Sequence, residues 1–306
     1  MTQASLRTLT AEQTAKALPY PALVDFLIQA AQDHAAGLIV TPTRQALPFT
    51  NGGTLLSMPA NAKDIGVHKL VNVMPHNAEH HLPIIQGLVC AYDGETGRPL
   101  AVLDGPTVTE RRTAAVSMMG IKLLWDTPKH VAVIGTGVQA LGHVEALFSL
   151  YPSVQIALLG RHLERAQALI ARLDPHLQTQ IQAVESIPED VDVVITVTSS
   201  TKPVYHEAAR ADRLLIAVGA YTPQMAEIEA ETVLASRIYV DEPGGAAHEA
   251  GDLLQAKVNW DQVQPIVAAL EHKPEGQALL YKSVGCAAWD LAAARCAREQ
   301  IEGKNT

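Results

Sequence analysis

The sequence has few cysteines, no long apolar run and no excess of basic residues, and each of these absences excludes a class of protein. The three cysteines, Cys90, Cys286 and Cys296, have neither the pairing of a disulfide framework nor the spacing of a metal site, which predicts a reducing, cytoplasmic location. The most apolar predicted helix, at residues 114–125, contains Lys122 and is too short to span a bilayer. No apolar leader precedes it, so we expect neither export nor a membrane partner.

The charge balance argues against a nucleic-acid-binding protein. The formal net charge is −9 at pH 7 and no block of like charges forms a tail, so we expect no nucleic-acid partner. The histidines at positions 76, 80 and 81 stand in a predicted loop and lack the spacing of zinc ligands, so we expect no metal. The 306 residues, 48% of them hydrophobic, are enough for two domains.

The most informative motif is a glycine turn between an apolar strand and a helix, within residues 131–140. In dinucleotide-binding folds, Gly135 would make the tight turn, Gly137 would let the backbone approach a pyrophosphate, and Ala140 would allow close packing of helix on strand. The phosphates would then lie on N–H groups at the helix N-terminus. The predicted cofactor contacts of this turn are Gly135, Thr136, Gly137, Val138 and Gln139. Any tight strand-to-helix turn of an α/β protein gives a similar pattern, so its context decides.

The context is a regular alternation of apolar strands and helices. Strands without polar alternation are typical of a parallel sheet that is covered on both faces. The pattern predicts an α/β fold with a Rossmann-type doubly wound domain. Thr198 and Ser199 follow one of these strands and are expected to border the cofactor. The predicted elements are helices at 139–150 and 163–173 and strands at 155–159, 191–197, 214–218 and 237–240.

The end of the second strand predicts which dinucleotide binds. An acidic residue there would bind the ribose 2′-hydroxyl of NAD, whereas a basic residue accommodates the 2′-phosphate of NADP. The chain has Arg161 and His162 at this point and Arg165 one turn later, with no acid at the strand end. Because arginine binds phosphate through a planar fork of donors, we expect NADPH, with NADH less favoured. A solvated basic turn is the alternative.

Residues 1–110 have a different pattern, typical of a separate α+β domain. A capping box at residues 10–13 and a helix at 21–36 precede mainly extended segments. The predicted strands lie at 38–47, 54–59, 65–73, 84–92 and 99–103.

Lys69 is the first candidate for substrate binding. Strict alternation along residues 65–73 places it on the same face of the strand as Ile65, Val67 and Val71. A buried ammonium needs an anionic partner, either a protein carboxylate or a ligand, and we favour a ligand. A structural ion pair, or a bent strand that lets the lysine reach solvent, is the alternative.

Arg112 is the second candidate, in the first turns of a helix predicted to begin near Thr109. Helix N-termini favour anions, so a pair of arginines there runs against the local electrostatic preference and would suit an anion supplied by a substrate. Glu110 or another carboxylate could equally pair with them. Arg44, within an early predicted strand, is a weaker candidate on its own.

Together these residues resemble the ornithine cyclodeaminase/mu-crystallin family, which includes cyclodeaminases, ketimine reductases and some alanine dehydrogenases. The matching motifs, spread over nearly the whole chain, are Pro42-Thr43-Arg44, Met58-Pro59, Lys69 with Asn72 and Pro75, Arg112-Thr113-Ala114-Ala115 with Ser117, Gly135-Thr136-Gly137-Val138-Gln139-Ala140, and Lys282-Ser283-Val284-Gly285 with Asp290.

The resemblance implies a carboxylate clamp and a domain organisation. Arg44, Lys69 and Arg112 would hold the carboxylate of a small amino or imino acid in a cleft facing the nicotinamide, with Thr113 as a further hydrogen-bonding residue. A C-terminal helix from Val284 would return to the first domain. The predicted domains are a discontinuous α+β substrate and dimerisation domain, 1–114 and 281–306, and an NADP-binding Rossmann domain, 115–280. Two subunits would join their first-domain sheets in a homodimer.

Two departures from the family's cyclodeaminases favour a reductase. Those enzymes carry an acid at the positions that Tyr221 and Leu56 occupy here, and ammonia elimination needs a positioned base. We therefore expect an NADPH-dependent reductase of Δ1-pyrroline-2-carboxylate or Δ1-piperideine-2-carboxylate, giving proline or pipecolate, with Lys69 and Arg112 as its catalytic residues. The alternatives are an amino-acid dehydrogenase of the alanine type, an ornithine cyclodeaminase, and a non-catalytic NADPH-dependent binding protein of the mu-crystallin kind.

Overall fold

A computed structural model describes residues 6–303, which divide into two compact units. The first unit takes the chain as far as Arg112 and again from Cys286 onward, and the second unit spans Thr113–Gly285. No helix within residues 6–303 is both long enough and apolar enough to cross a bilayer.

The first unit is built on a six-stranded sheet. The strand order is β1-β6-β5-β4-β3-β2, antiparallel except where β1 joins β6 in parallel. Its strands are β1 (Arg7–Thr8), β2 (Gln45–Pro48), β3 (Thr54–Asn61), β4 (Ile65–Val73), β5 (Ile85–Asp93) and β6 (Pro99–Asp104). Its helices are α1 (Ala11–Lys16), α2 (Tyr20–Ala35), the start of α3 (Gly105–Leu124), and α9 (Ala287–Glu302).

The C-terminal helix α9 covers one face of this sheet and so positions the candidate substrate site. It lies against β3, β4 and β5, and α2 packs on it. A row of buried alanines allows the close approach, and Arg295 fixes the helix through hydrogen bonds to Asp33 at 2.7 Å and Asp64 at 2.6 Å. The alternation predicted for β4 is confirmed, because Lys69 is buried beneath α9 together with Ile65 and Val67.

The second unit is an eight-stranded parallel sheet with the strand order β13-β12-β14-β11-β10-β7-β8-β9. Its strands are β7 (His130–Ile134), β8 (Gln155–Leu159), β9 (Ile181–Val184), β10 (Val193–Thr196), β11 (Leu214–Ala217), β12 (Arg237–Val240), β13 (Gln264–Pro265) and β14 (Leu279–Lys282). Its helices, after the end of α3, are α4 (Val138–Leu150), α5 (Leu163–Ile170), α6 (Ala230–Leu234), α7 (Pro243–Glu249) and α8 (Gly251–Ala256).

The order of these strands confirms the Rossmann-type prediction. From β7 the chain moves outward to β8 and β9, then returns to place β10 on the other side of β7. Such a reversal creates a crevice at the carboxyl ends of the strands, which is where open α/β sheets bind ligands. The ends of β7 and β10 therefore mark the expected cofactor site. The helix after β7, α4, is held against α3 by a buried contact: the distance from His143 Nε2 of α4 to the Ser117 hydroxyl of α3 is 2.8 Å.

The bounds of several elements differ from the sequence predictions. The helix expected from Thr109 begins at Gly105, because the Asp104 carboxylate accepts hydrogen bonds from the backbone and side chain of Thr107 at 2.9 and 2.6 Å. Arg112 therefore lies at the end of the second turn, and the argument from the helix terminus was wrong. Of the strand expected at 38–47, only its end forms β2. The short strands β1, β9, β13 and β14 were not predicted.

Candidate active site

The turn between β7 and α4 requires glycine at its first position. Gly135 has a φ of +139°, and its N–H donates to the carbonyl of Leu159 at 2.9 Å. A side chain at Gly135 would place its Cβ 2.7 Å from the carbonyl oxygen of Val197, closer than real Cβ atoms approach. The strands β7, β8 and β10 thus meet at this one residue.

The second glycine opens toward a cavity. Gly137 is the N-cap of α4, and a Cβ there would meet no atom of the described chain within 4 Å. No side chain within residues 6–303 caps the helix through a hydrogen bond. The N–H groups at the start of α4 are therefore suited to an anion such as a phosphate.

A cavity of about 810 Å³ runs along the carboxyl ends of the central strands of the second unit. It brings together most of the predicted cofactor residues from three separate turns, namely Gly135, Thr136, Gly137, Arg161, His162, Arg165, Thr198 and Ser199. The remaining two, Val138 and Gln139, lie in the first turn of α4 and are not among the residues that line the cavity.

The β8 end of the cavity is mainly basic. Gly160 packs against Thr136, with a distance of 2.7 Å from its hypothetical Cβ to the Thr136 methyl carbon, and Arg161 follows directly. Arg161, His162 and Arg165 are exposed and line the cavity, and one acid, Glu185, joins them from beyond β9. The glycine turn, the start of α4 and this basic end together fit a dinucleotide.

The first unit contains a second candidate site, a buried cluster of charges around Asp290. Lys69 Nζ donates a hydrogen bond to Asp290 Oδ1 at 3.1 Å, and Arg112 Nε lies 3.6 Å from the same oxygen. Lys69 and Arg112 are buried, and Asp290 has no exposed surface. One carboxylate is thus shared by two cations that come from β4 and α3.

The electrostatics of this cluster leave an excess of positive charge. Burial lowers the pKa of Lys69 to about 8, although Asp290 raises it, and the charges of Arg112 and Arg44 lower it further. Arg44 is half-buried in the segment before β2 and close enough to influence Lys69. Lys69 and Arg112, two cations beside the one carboxylate of Asp290, form a site that favours one more anion.

The partner of Lys69 differs from the one that the sequence favoured. The pattern of β4 indicated a buried ammonium with an anionic partner, and we expected a ligand; in the structure a protein carboxylate, Asp290, already occupies that role. Asp290 was not a predicted site residue, although it belonged to the matching motifs. Thr113, the next residue after Arg112 in α3, is buried and belongs to the second unit.

Comparison with known proteins places the chain in a family. The model of the ornithine cyclodeaminase/mu-crystallin family matches residues 7–305. The chain belongs to this family. A relative in Azospirillum brasilense, Δ1-pyrroline-2-carboxylate/Δ1-piperideine-2-carboxylate reductase, is 48% identical over 297 residues, which is 96% of both chains.

Solved structures of other proteins share the fold of this family member. A Thermococcus litoralis Δ1-pyrroline-2-carboxylate reductase, solved with NADH and L-proline, superimposes with a TM-score of 0.87 at 24% identity, covering 99% of both chains. An archaeal alanine dehydrogenase dimer with bound NAD gives a TM-score of 0.85 at 25% identity, covering 98% of this chain and 97% of the other.

The two positions that depart from the cyclodeaminase pattern lie in different units of this family member. Leu56 is in β3, directly opposite Val71 of β4, whereas Tyr221 is exposed in the turn after β11. Neither side chain can act as the carboxylate base that ammonia elimination would need.

Proposed function

We propose that this chain is a reductase of cyclic ketimine carboxylates, converting Δ1-pyrroline-2-carboxylate and Δ1-piperideine-2-carboxylate to proline and pipecolate. The observation that carries the proposal is the 48% identity, over 96% of both chains, to a reductase of these two imines. The charge cluster supports it, because both substrates carry one carboxylate beside the C=N bond. The absence of an acid at positions 56 and 221 argues against a cyclodeaminase.

Lys69, Arg112 and Arg44 hold the substrate carboxylate in this proposal. Because C2 is bonded directly to the carboxylate carbon, fixing the carboxylate also fixes the carbon that reacts. Asp290 keeps the Lys69 ammonium and the Arg112 guanidinium in place while their remaining donors face the substrate. Thr113 is a further proposed hydrogen-bonding partner.

When bound, a nicotinamide cofactor would supply a hydride for addition to C2 of the protonated C=N bond. Because the ring nitrogen enters protonated, hydride addition yields the secondary amine and needs no further proton. The residues of the chain therefore mainly bind and orient, and the ammonium of Lys69 keeps the carboxylate charge compensated.

The cofactor is a nicotinamide dinucleotide, and we propose NADPH as the preferred form. Arg161 carries this preference, with His162 and Arg165 as supporting donors, because a guanidinium can bind the 2′-phosphate through two hydrogen bonds. Glu185 lies in the same cavity but not at the end of β8, where an NAD-binding acid is expected.

We also propose a homodimer, formed by the outer face of the first-unit sheet. Leu70 of β4 and Leu88 of β5 lie directly opposite each other and are 40% and 49% exposed. Adjacent exposed leucines at the centre of a sheet are typical of a protein interface. A cytoplasmic location stays a prediction from the cysteine content.

A steady-state assay tests the proposed activity. With purified protein, either imine should accelerate NADPH oxidation, and the product should be proline or pipecolate. Ammonia release from ornithine without net cofactor turnover would identify a cyclodeaminase instead, and turnover of pyruvate with ammonia would identify a dehydrogenase. Tight NADPH binding without turnover of any of these compounds would indicate a binding protein.

A further inference from the structure

One carboxylate of the second unit, that of Glu227, is fully buried and bound by four donors. Its Oε1 accepts hydrogen bonds from the backbone N–H and the hydroxyl of Thr198, at 2.6 and 2.8 Å. Its Oε2 accepts from the backbone N–H of Gly219 at 2.6 Å and from the hydroxyl of Thr196 at 2.9 Å. Glu227 thus joins the ends of β10 and β11.

The backbone of Glu227 holds the same loop at its other end. Its carbonyl oxygen accepts hydrogen bonds from the N–H groups of Val204 and Tyr205, at 2.8 and 2.9 Å. The loop between Thr196 and Tyr205 contributes one wall of the cofactor cavity, which includes Thr198. Side chain and backbone of one residue therefore determine where this wall lies.

A buried pair of charged residues, Lys282 and Asp252, lies next to Glu227. Lys282, at the end of β14, lies 3.2 Å from Asp252, and Asp252 accepts the backbone N–H of Glu227 at 2.6 Å. Burial raises the pKa of Glu227, whereas the charge of Lys282 and the hydrogen bonds from Thr198 lower it. Two oxygens that each face two donors suit an ionised carboxylate.

The packing around Gly219 shows how closely these loops are joined. A Cβ at Gly219 would lie 2.0 Å from the carbonyl oxygen of Thr198 and 2.5 Å from Oε1 of Glu227. Only glycine fits there, so the loop after β11 presses directly on the loop after β10. The position of Thr198 is set by these contacts and not by solvent.

We propose that Glu227 is a positioning residue for the nicotinamide half of the cofactor, acting through Thr198. The cavity extends from the basic turn after β8, past the glycine turn after β7, to the loop after β10. In a sheet of this topology the two halves of a dinucleotide lie on opposite sides of the first strand. In the proposed binding mode Arg161 contacts the 2′-phosphate of the dinucleotide. The nicotinamide half then lies at the other end of the cavity, beside the loop that Glu227 holds in place.

The test compares two ligands and rests on the proposed binding of NADPH. The ligands are NADPH and 2′-phospho-ADP-ribose, which lacks the nicotinamide, and calorimetry gives both dissociation constants. In Glu227→Gln the amide NH2 replaces one oxygen and faces a backbone N–H, which displaces the loop. We expect NADPH binding to weaken about tenfold or more, as the loss of one hydrogen bond would give. The dissociation constant of the fragment should change less than about twofold, because the fragment does not reach this loop.

Asp241 offers a matched control in the same sheet. Its carboxylate is also buried and accepts four hydrogen bonds, from the N–H groups of Glu242, Val284 and Gly285 and from the Ser283 hydroxyl, but it does not line the cavity. Asp241→Asn should lower stability while leaving the ratio of the two dissociation constants unchanged.

The outcomes separate the inference from the proposed function. Equal weakening of NADPH and of the fragment in Glu227→Gln, or the same change of ratio in Asp241→Asn, would overturn the role of Glu227. If the wild-type protein bound neither ligand, the proposed cofactor would be wrong instead. Should Glu227→Gln not fold, Thr196→Val removes one of the four donors at a residue that does not line the cavity, and it must alter the same ratio.

Discussion

Lys69 donates a hydrogen bond to Asp290 across 221 positions of the chain, and both side chains are buried. A buried ion pair that loses one partner leaves an uncompensated charge, which costs about 3–5 kcal/mol of folding free energy. We therefore expect Asp290→Asn and Lys69→Met each to lower the free energy of unfolding strongly. The double variant should lose less than the sum, and urea unfolding of all four proteins measures this coupling.

The exposed pair of Lys16 and Glu12 on α1 is the control for this cycle. Its Nζ–Oε1 distance is 2.6 Å, shorter than that of the buried pair, but both side chains are in solvent. The corresponding cycle with Lys16→Met and Glu12→Gln should show no measurable coupling. A coupling of similar size in both cycles would mean that burial does not strengthen the Lys69–Asp290 pair.

The lowered pKa of Lys69 predicts a pH dependence of substrate binding. Because burial lowers this pKa to about 8, the ammonium loses its proton as the pH rises through that value. Cyclopentanecarboxylate keeps its charge throughout this range and carries no imine, so its affinity reports on the site alone. We expect its dissociation constant to rise about tenfold per pH unit above the Lys69 pKa of the ligand-free protein, about 8, until the pH reaches the higher Lys69 pKa of the complex.

Lys69→Arg is the matched variant for the pH experiment, since the guanidinium keeps its charge. Its affinity for cyclopentanecarboxylate should vary much less between pH 8 and 10 than that of the wild type. A parallel decline in both proteins would assign the titration to another group.

Lys69→Ala and Arg112→Ala should both raise the KM for the imine while leaving the NADPH dissociation constant intact.

Arg161 is predicted to distinguish the two dinucleotides. Arg161→Asp removes a guanidinium from the 2′-phosphate and adds a negative charge, so NADPH binding should weaken about 100-fold, which corresponds to about 3 kcal/mol. NADH lacks this phosphate and should be affected little or even bind better. Arg172→Asp, an exposed position in the same unit outside the cavity, controls for the change in net charge. An equal loss for both dinucleotides would contradict the assignment.

Local sequence patterns predicted the parts of these sites that depend on neighbouring residues. The glycine turn at Gly135 is recognisable because strand, turn and helix are contiguous, and Lys69 is recognisable because alternation along β4 fixes its face. The start of α3 was missed by four residues, since capping by Asp104 depends on one side-chain hydrogen bond. Periodicity alone does not show such a bond.

Local sequence patterns did not predict contacts between side chains that are distant along the chain. Asp290 reaches Lys69 only because α9 returns to the first-unit sheet, and Glu227 reaches Thr198 only because a loop folds back onto β10. An acid within an alanine-rich helix, and an acid before the apolar Ile228, look like ordinary surface residues when read locally. The burial of these two carboxylates indicates their roles, but it depends on residues distant along the chain and cannot be read from a short stretch of sequence.

The proposed dimer predicts a change of molecular mass on substitution of the exposed leucines. Leu70→Glu with Leu88→Glu places two carboxylates at the centre of the outer face, where they would be buried together in a dimer. Light scattering after gel filtration should then report a monomer. Leu234→Glu, an exposed leucine of the second unit, is the control and should leave the mass unchanged. A wild-type monomer would contradict the proposed dimer.

The buried imidazole of His143 should make the free energy of unfolding depend on pH. Its Nδ1–H donates to the carbonyl of Gln139 at 2.7 Å, so its Nε2 accepts the Ser117 hydroxyl at 2.8 Å. Burial lowers the pKa of His143 from 6.5 to about 4, although the Gln139 carbonyl opposes this shift. Between these values the unfolded chain binds a proton that the folded chain does not, so stability is lost as the pH falls from 6.5 toward 4, by about 3 kcal/mol in all.

The measurement is the free energy of unfolding in urea at pH 7.0 and pH 5.0 for the wild type and for Ser117→Ala/His143→Leu. The double replacement removes both partners, so no buried polar group is left without its hydrogen bond. The double variant should lose about 2 kcal/mol less than the wild type over this interval, because the pH range covers about 1.5 units of the His143 shift. His272→Leu, at an exposed position, should keep the wild-type dependence. Parallel curves for the wild type and the double variant would show that His143 is not kept neutral by burial.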